Sequence, residues 1–135
     1  KDTDPGALPE LKGWKARGCE VHVAKGIATI QGKSDAPFLG VAPGVLDASA
    51  TFRFRMQGGF GNGWIEWLPK GNLQAASKST TFDGDKDDWT EVELKVPIDA
   101  ATSGILRLHL PAASASIKID WIEIDNKAGN RRWDF

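Results

Sequence analysis

The stretch Thr51-Phe52-Arg53-Phe54-Arg55-Met56-Gln57 decides the fold class. Its large apolar side chains alternate with polar ones, and successive side chains of a β-strand point to opposite faces of a sheet. The same alternation recurs in residues 90–96 and 105–110. We therefore expect strands with one buried face and one solvated face.

Weaker strand patterns surround these three stretches. They cover residues 19–23, 27–31, 38–41, 64–68 and 76–82, and a clearer final strand covers residues 117–124. Glycine and proline separate them, and Ala24-Lys25-Gly26 is a predicted hairpin turn. The spacing predicts an all-β fold, a two-sheet antiparallel β-sandwich of the jelly-roll type, with at most one short helix.

The final strand changes parity. Ile117 and Ile119 share one face, whereas Ile122 and Ile124 share the other. Either a β-bulge around Asp120-Trp121 restores a single buried face, or the strand is buried on both faces. We also expect a core that contains Phe52, Phe54, Trp67 and Trp121.

Length and charge exclude several classes of protein. The chain has 135 residues, which suits one domain, with 17 basic and 18 acidic side chains interleaved along it. Nucleic-acid binding needs a clustered basic excess, so we expect no such partner. No apolar run reaches the roughly 18 residues of a membrane span.

The two ends of the chain differ from its centre in sequence pattern. Residues 1–12 are predicted to be an interdomain linker, residues 13–126 the β-sandwich domain, and residues 127–135 a C-terminal tail. The start at Lys1 suggests a fragment of a longer protein, or else a processed N-terminus. Because exposure of Trp133 and Phe135 would forfeit burial energy, we expect the tail to dock on the sandwich or on a partner domain.

Motifs for catalysis are missing from the sequence, so we predict no catalytic residue in this chain. Cys19-Glu20-Val21-His22 has metal-like spacing, but strand residues three apart point to opposite faces, and Cys19 is better explained as a buried thiol. His22 and His109 are the only histidines, both on outward strand positions. No nucleophile elbow, phosphate loop or dinucleotide fingerprint occurs.

Ligand candidates come from the aromatic and basic residues. Trp64 follows Gly61-Asn62-Gly63 and could offer a flat apolar face to a sugar ring, or it could pack beneath a loop. Arg53, Arg55, Arg107 and His109 could line one sheet face and bind an anionic glycan, or could be an ordinary solvated face. The acidic loop at residues 83–88 could wrap calcium, although it lacks the glycine and glutamate of a helix-loop-helix site and a solvated turn is favoured.

Several stretches resemble the C-terminal extension of certain bacterial secreted sulfatases, of the arylsulfatase or N-acetylgalactosamine-6-sulfatase type. The resemblance covers nearly the whole chain and is carried by residues 4–9 leading to Gly13-Trp14, and by residues 18–21, 37–41, 119–124 and 131–135. It implies a galactose-binding-like jelly roll behind an alkaline-phosphatase-like sulfatase domain, in a periplasmic or secreted protein. The sulfatase nucleophile motif C/S-x-P-S-R is absent, since Cys19 is followed by Glu20-Val21-His22.

The resemblance also implies a possible structural calcium in the jelly roll. Asp120 in the final strand would be one ligand, and Glu20 a partner; the alternative is that Asp120 caps backbone N–H groups at the bulge. The leading hypothesis is thus a non-catalytic accessory domain that binds a sulfated or neutral glycan, or docks on the parent sulfatase domain. The alternative is a small jelly-roll polysaccharide hydrolase or lyase.

Overall fold

Short β-strands make up most of the structure. The computed structural model describes residues 8–59, 61–84, 86–111, 116–127 and 129–135. Two short 3-10 helices, Pro9–Leu11 and Leu73–Ala75, lie in these ranges, and neither is long and apolar enough to cross a bilayer. The strands are β1 (Lys15–Arg17), β2 (Cys19–Ala24), β3 (Ile27–Gly32), β4 (Phe38–Val41), β5 (Val45–Leu46), β6 (Thr51–Gly58), β7 (Asn62–Pro69), β8 (Ser77–Lys78), β9 (Phe82–Asp83), β10 (Lys86–Lys95), β11 (Thr102–His109), β12 (Ser116–Asn126) and β13 (Gly129–Asp134).

The strands form two antiparallel sheets. The seven-stranded sheet has the order β1-β4-β11-β7-β8, with β5 added on β11 and β9 added on β7. The six-stranded sheet has the order β10-β6-β12-β3-β2, with β13 added on β12. This architecture confirms the predicted all-β, two-sheet antiparallel sandwich.

The core lies between the two sheets and follows the alternation read from the sequence. Phe52, Phe54 and Met56 of β6 are at most 1% exposed, and they face Leu106 and Leu108 of β11, which are fully buried. Trp67 is also in this core, as predicted. Burial of each such side chain stabilises the fold by about 1.5–3 kcal/mol. The alternate positions that carry apolar residues therefore determine which side of a strand faces inward.

The predicted hairpin between β2 and β3 is present. Ala24 pairs with Ile27, and Lys25 and Gly26 between them have φ values of 55° and 80°. Positive φ at both central residues defines a type I′ turn, whose twist matches that of the flanking strands. Glycine at the second position makes this conformation accessible without a steric cost.

The bulge in the final strand is also present. Ile119 pairs with Met56 and Trp121 pairs with Arg55, so Asp120 is an extra residue in β12. This insertion keeps Ile117, Ile119, Ile122 and Ile124 all buried. The prediction of Trp121 as a core residue is wrong, because the phase change turns its side chain outward, where the Arg132 guanidinium carbon lies 4.4 Å from its ring centroid.

The weak strand predicted over residues 76–82 is replaced by two separate pairs of residues on β7. Ser77 and Lys78 pair with Trp67 and Glu66, whereas Phe82 and Asp83 pair farther along with Gly63 and Asn62. Between them the Ser79 hydroxyl accepts a hydrogen bond from the Ile65 amide at 3.0 Å. A side chain thus takes the place of a backbone carbonyl and interrupts the ladder.

Both ends of the described chain pack on the sandwich. In the segment expected to be a linker, residues 1–7 lie outside the described residues, while Leu11 is fully buried. In the segment expected to be a tail, β13 pairs with β12 and Trp133 is 3% exposed. The expected docking of the aromatic C-terminal segment is therefore confirmed for Trp133, and the surface that receives it is this sandwich.

Candidate functional site

A row of ring-bearing side chains crosses the outer face of the seven-stranded sheet. Phe38 of β4 pairs with His109 of β11, and His109 pairs with Trp64 of β7. Their sequence neighbours Leu39, Leu108 and Ile65 are buried, so the alternation turns these three side chains outward. We call Phe38, His109 and Trp64 the aromatic row.

The rings of the aromatic row contact one another side by side. The ring centroids of Phe38 and His109 lie 5.3 Å apart, and those of His109 and Trp64 lie 5.0 Å apart at an interplanar angle of 15°. On the far side of β7, the Lys78 ammonium lies 4.9 Å from the Trp64 centroid. Stacking of this kind stabilises the ring positions and orders the face before any ligand arrives.

A second row of side chains runs parallel to the aromatic row, one step along the strands. The register joins Gly40 to Arg107, Arg107 to Glu66, and Glu66 to Lys78. The Arg107 guanidinium carbon lies 4.7 Å from the Phe38 ring centroid. Gly40 has no side chain, and a Cβ there would be in ordinary van der Waals contact with the Arg107 and Phe38 side chains, both at 3.8 Å, so the position tolerates a side chain without a clash.

His109 and Glu66 connect the two rows. The His109 Nε2 and a Glu66 carboxylate oxygen are 2.8 Å apart, and the two side chains are 14% and 19% exposed. This bond fixes the imidazole plane against Trp64 and directs the carboxylate toward the centre of the face. In the part of the chain that the structure describes, no hydroxyl or thiol is hydrogen-bonded to His109.

Three of the residues predicted from the sequence come together on this face. Trp64 and His109 are neighbours in the aromatic row, and Arg107 lies beside them in the second row. Trp64, however, does not present the open flat face that was one of its two interpretations, because His109 and Lys78 contact its ring. Its indole Nε1 is buried and has no hydrogen-bond partner among the described residues.

The prediction that Arg53, Arg55, Arg107 and His109 line one face is wrong. Arg53 and Arg55 belong to β6, whose sheet lies on the other side of the core, so they point away from Arg107 and His109. Arg53 bonds Glu93 at 3.0 Å and Glu123 at 3.1 Å, and these hydrogen bonds raise its pKa further. Arg55 bonds Asp120 at 2.9 Å.

The two residues proposed as calcium ligands are not brought together. The register places Glu20 opposite Gln31 and Gln31 opposite Ser116, whereas Asp120 follows Ile119 farther along β12. At about 3.3 Å per residue, this separates the two carboxylates by more than 10 Å along the strands. Asp120 is occupied by Arg55, and Glu20 lies 3.8 Å from the Lys33 ammonium.

Metal-ligating side chains do not converge elsewhere in the described part of the chain, where no group of three His, Cys, Asp or Glu side chains could hold an ion. The acidic loop at residues 83–88 includes Asp85, which lies outside the described residues. Cys19 is half-buried with its sulfur 3.9 Å from the Phe38 carbonyl oxygen, and burial raises its thiol pKa. His22 is exposed.

Sequence reasoning missed Phe38, Glu66 and Lys78 as members of this face. A strand was predicted at residues 38–41 and another at 64–68, and the parity of each could have identified Phe38 and Glu66 as outward. What the sequence does not contain is the order β4-β11-β7-β8, which makes these strands neighbours. The sequence around Lys78 shows no alternation that would predict its orientation, because its strand has only two residues.

Comparison with known proteins supplies structural neighbours only. No model of a protein family matches the chain, and no curated protein matches it. A variant of a family 29 carbohydrate-binding module complexed with cellulohexaose is similar over 86% of this chain and 81% of its own, with 18% identity and a TM-score of 0.61. Another family 29 module is 20% identical to this chain, with a TM-score of 0.59; the match covers 79% of this chain and 74% of that module.

A third neighbour is PfGH50B, of which 22% of the length matches 84% of this chain with a TM-score of 0.66 and 5% identity. At these identities the neighbours show the jelly-roll sandwich fold.

Proposed function

We propose that this chain is a non-catalytic glycan-binding module and that the outer face of its seven-stranded sheet is the binding site. The observation that carries the proposal is the aromatic row with hydrogen-bonding side chains beside it. Sugar rings combine an apolar C–H surface with hydroxyl groups. A receptor for them therefore needs aromatic rings next to a few well-placed polar groups.

The geometry of the face suits an extended ligand. The missing side chain at Gly40 keeps the surface beside Phe38 and Arg107 low, where a sugar ring could lie. Glu66 and Arg107 of the second row supply an acceptor and a donor, and the His109 imidazole of the aromatic row lies beside them. Lys78 is exposed, and movement of its flexible side chain away from Trp64 would open that ring for stacking.

The structural neighbours support the same assignment. Several of them are carbohydrate-binding modules, one of which is complexed with cellulohexaose. The sandwich that they share with this chain can evidently present a glycan-binding surface. A sulfatase as the parent protein, and a periplasmic or secreted location, stay predictions from the sequence resemblance.

The test is binding of the purified chain to a panel of soluble neutral and acidic polysaccharides, measured by affinity gel electrophoresis and by calorimetry. We expect at least one polysaccharide to retard the chain. Gly40→Leu should abolish the retardation, because the leucine side chain would cover the surface beside Phe38 and Arg107 while its Cβ makes only ordinary contacts. Thr29→Leu is the matched control, since it places a similar side chain on the outer face of the other sheet.

Equal retardation of both variants would overturn the assignment of the site. Failure of the folded chain to bind any polysaccharide would overturn the function. Turnover of a polysaccharide or sulfate ester by the purified chain would instead favour the jelly-roll hydrolase or lyase alternative. The near- and far-ultraviolet circular dichroism of each variant shows whether its fold is intact.

A further inference from the structure

Charge is distributed unequally between the two outer faces of the sandwich. On the strands of the seven-stranded sheet, the charged side chains that point outward include the four cations Lys15, Arg17, Arg107 and Lys78, against the two carboxylates Glu66 and Asp83. The chain as a whole has a net charge of -1. The net charge of the whole chain therefore does not reveal that this face has more cations than carboxylates.

Three arginines of the opposite face, Arg53, Arg55 and Arg132, are paired with carboxylates within the protein. Arg53 contacts Glu93 and Glu123, and Arg55 contacts Asp120 at 2.9 Å. Arg132 contacts Asp134 at 3.1 Å. Since these three guanidinium groups already have a carboxylate partner, an anionic ligand would have to compete with it.

Arg107 and Lys78 differ from those arginines. Their recorded contacts are with aromatic rings, Phe38 and Trp64 respectively, and neither forms an ion pair with a carboxylate of the described residues. The nearby carboxylate, Glu66, is bound to His109. An aromatic ring orients a cation but leaves its N–H groups free to donate hydrogen bonds.

The spacing of the two cations fits a polymer with repeated anionic groups. Arg107 and Lys78 lie on strands on either side of β7, so their backbones are about 10 Å apart. A planar guanidinium on Phe38 can hold a carboxylate or a sulfate through two parallel hydrogen bonds. The Lys78 ammonium, once it has moved off the Trp64 ring, would take a second anionic group.

From this geometry we propose that the ligand of the face is an acidic glycan, whose carboxylate or sulfate groups bind Arg107 and Lys78. This inference rests on the proposed glycan-binding function and narrows its ligand class. Carboxylate and sulfate share the chemistry recognised here, namely a fixed anion on a sugar ring, and the experiment separates the two.

The experiment compares oligosaccharides of matched length in pairs that differ in charge. Oligogalacturonate is measured against its methyl ester, a sulfated chondroitin oligosaccharide against its desulfated form, and cellohexaose serves as a neutral probe. We expect the charged member of at least one pair to bind about tenfold or more tightly, and its affinity to fall with added salt. The pair that shows the difference identifies the anion.

The variants locate the effect. Arg107→Gln and Lys78→Gln should each weaken binding of the charged probe by about tenfold, and by clearly more than they weaken binding of its uncharged counterpart. Arg107→Lys keeps the charge but not the planar fork, and we expect most of the loss to remain. Lys118→Gln is the matched control, because it removes the same unit of charge from the outer face of the six-stranded sheet.

The outcomes separate this inference from the proposed function. If neutral probes bind as tightly as charged ones, and Gly40→Leu still abolishes binding, the acidic ligand is wrong and the glycan site stands. If Lys118→Gln weakens binding as much as Arg107→Gln, the effect is nonspecific adsorption of a polyanion, which overturns the inference. If no probe binds, the proposed function itself fails.

Discussion

The indole rings of Trp14 and Trp133 pack edge to face with their centroids 5.3 Å apart and an interplanar angle of 70°. The Trp133 Nε1 donates a hydrogen bond to the Lys12 carbonyl oxygen at 3.1 Å. Trp14 in turn contacts Phe52 of the central strand β6, with centroids 6.3 Å apart. The pair thus joins the first and last elements of the described chain to the core.

Removal of Trp133 should be costly for this reason. We expect Trp133→Ala to lower the free energy of unfolding by about 3–5 kcal/mol, the usual cost of replacing a buried tryptophan with alanine. Urea denaturation followed by tryptophan fluorescence measures it. The control is Trp121→Ala on the outer face, where loss of the contact with Arg132 should cost only about 1 kcal/mol. Equal losses would contradict the central position assigned to Trp133.

Gly63 is a position where no side chain fits. A Cβ there would lie 2.4 Å from the Phe82 ring and 2.5 Å from the His109 carbonyl oxygen. Because a backbone atom cannot yield easily, we expect Gly63→Ala to destabilise the fold by about 1–3 kcal/mol. Gly40→Ala in the same sheet should change stability by no more than about 0.5 kcal/mol, and a similar shift of the thermal midpoint in both variants would refute the argument.

The bulge residue can be tested by deletion. Without Asp120, β12 would regain regular alternation, and either Ile117 and Ile119 or Ile122 and Ile124 would turn outward. Exposure of two isoleucines should cost about 3–6 kcal/mol. Asp120→Ala keeps the extra residue and loses only the ion pair with Arg55, worth about 1 kcal/mol or less. Comparable midpoints of urea unfolding for the two variants would show that the insertion does not matter.

A pH dependence follows from the turn before β6. The Ser49 hydroxyl and the Ser49 amide both donate to the Asp47 carboxylate, the amide at 2.8 Å, and these bonds lower the pKa of Asp47. A lowered folded-state pKa gives a stability contribution that is present above the unfolded value near 4 and is lost as the pH falls through the folded value. Asp47→Ala should therefore be less stable than the parent at pH 7, and the difference should shrink toward pH 2 in thermal melts. A difference that stays constant over this range would contradict the assignment.

The sequence was sufficient for the fold class because period-two burial is a local property. Residues 38–41 are a strand at the predicted bounds, and the parity change of β12 located the bulge to within one residue. The error at Trp121 arose at the same place. The alternation of side chains is interrupted at the bulge, so the sequence does not predict on which face residue 121 lies. The strand predicted to begin at Thr90 begins at Lys86 in β10. This extension could not be predicted locally, because it depends on the pairing of Lys86 with Gly58 of β6.

The site was predicted only in part because it depends on long-range neighbours. Trp64, Arg107 and His109 were recognised from residue type, and the register brings them together. Arg53 and Arg55 have the same outward alternation, and nothing local tells which sheet a strand joins. Phe38 became part of the site only through its pairing with His109.

The contact between Lys12 and Asp134 has a consequence for how the polypeptide could be rearranged. The Lys12 ammonium donates to the Asp134 carbonyl oxygen, so the two points lie at the same edge of the sandwich. A short peptide could bridge them, and new termini could be opened at the tight Lys25-Gly26 turn, with every strand pairing retained. Circular permutation of this kind would leave the aromatic row on the seven-stranded sheet unchanged.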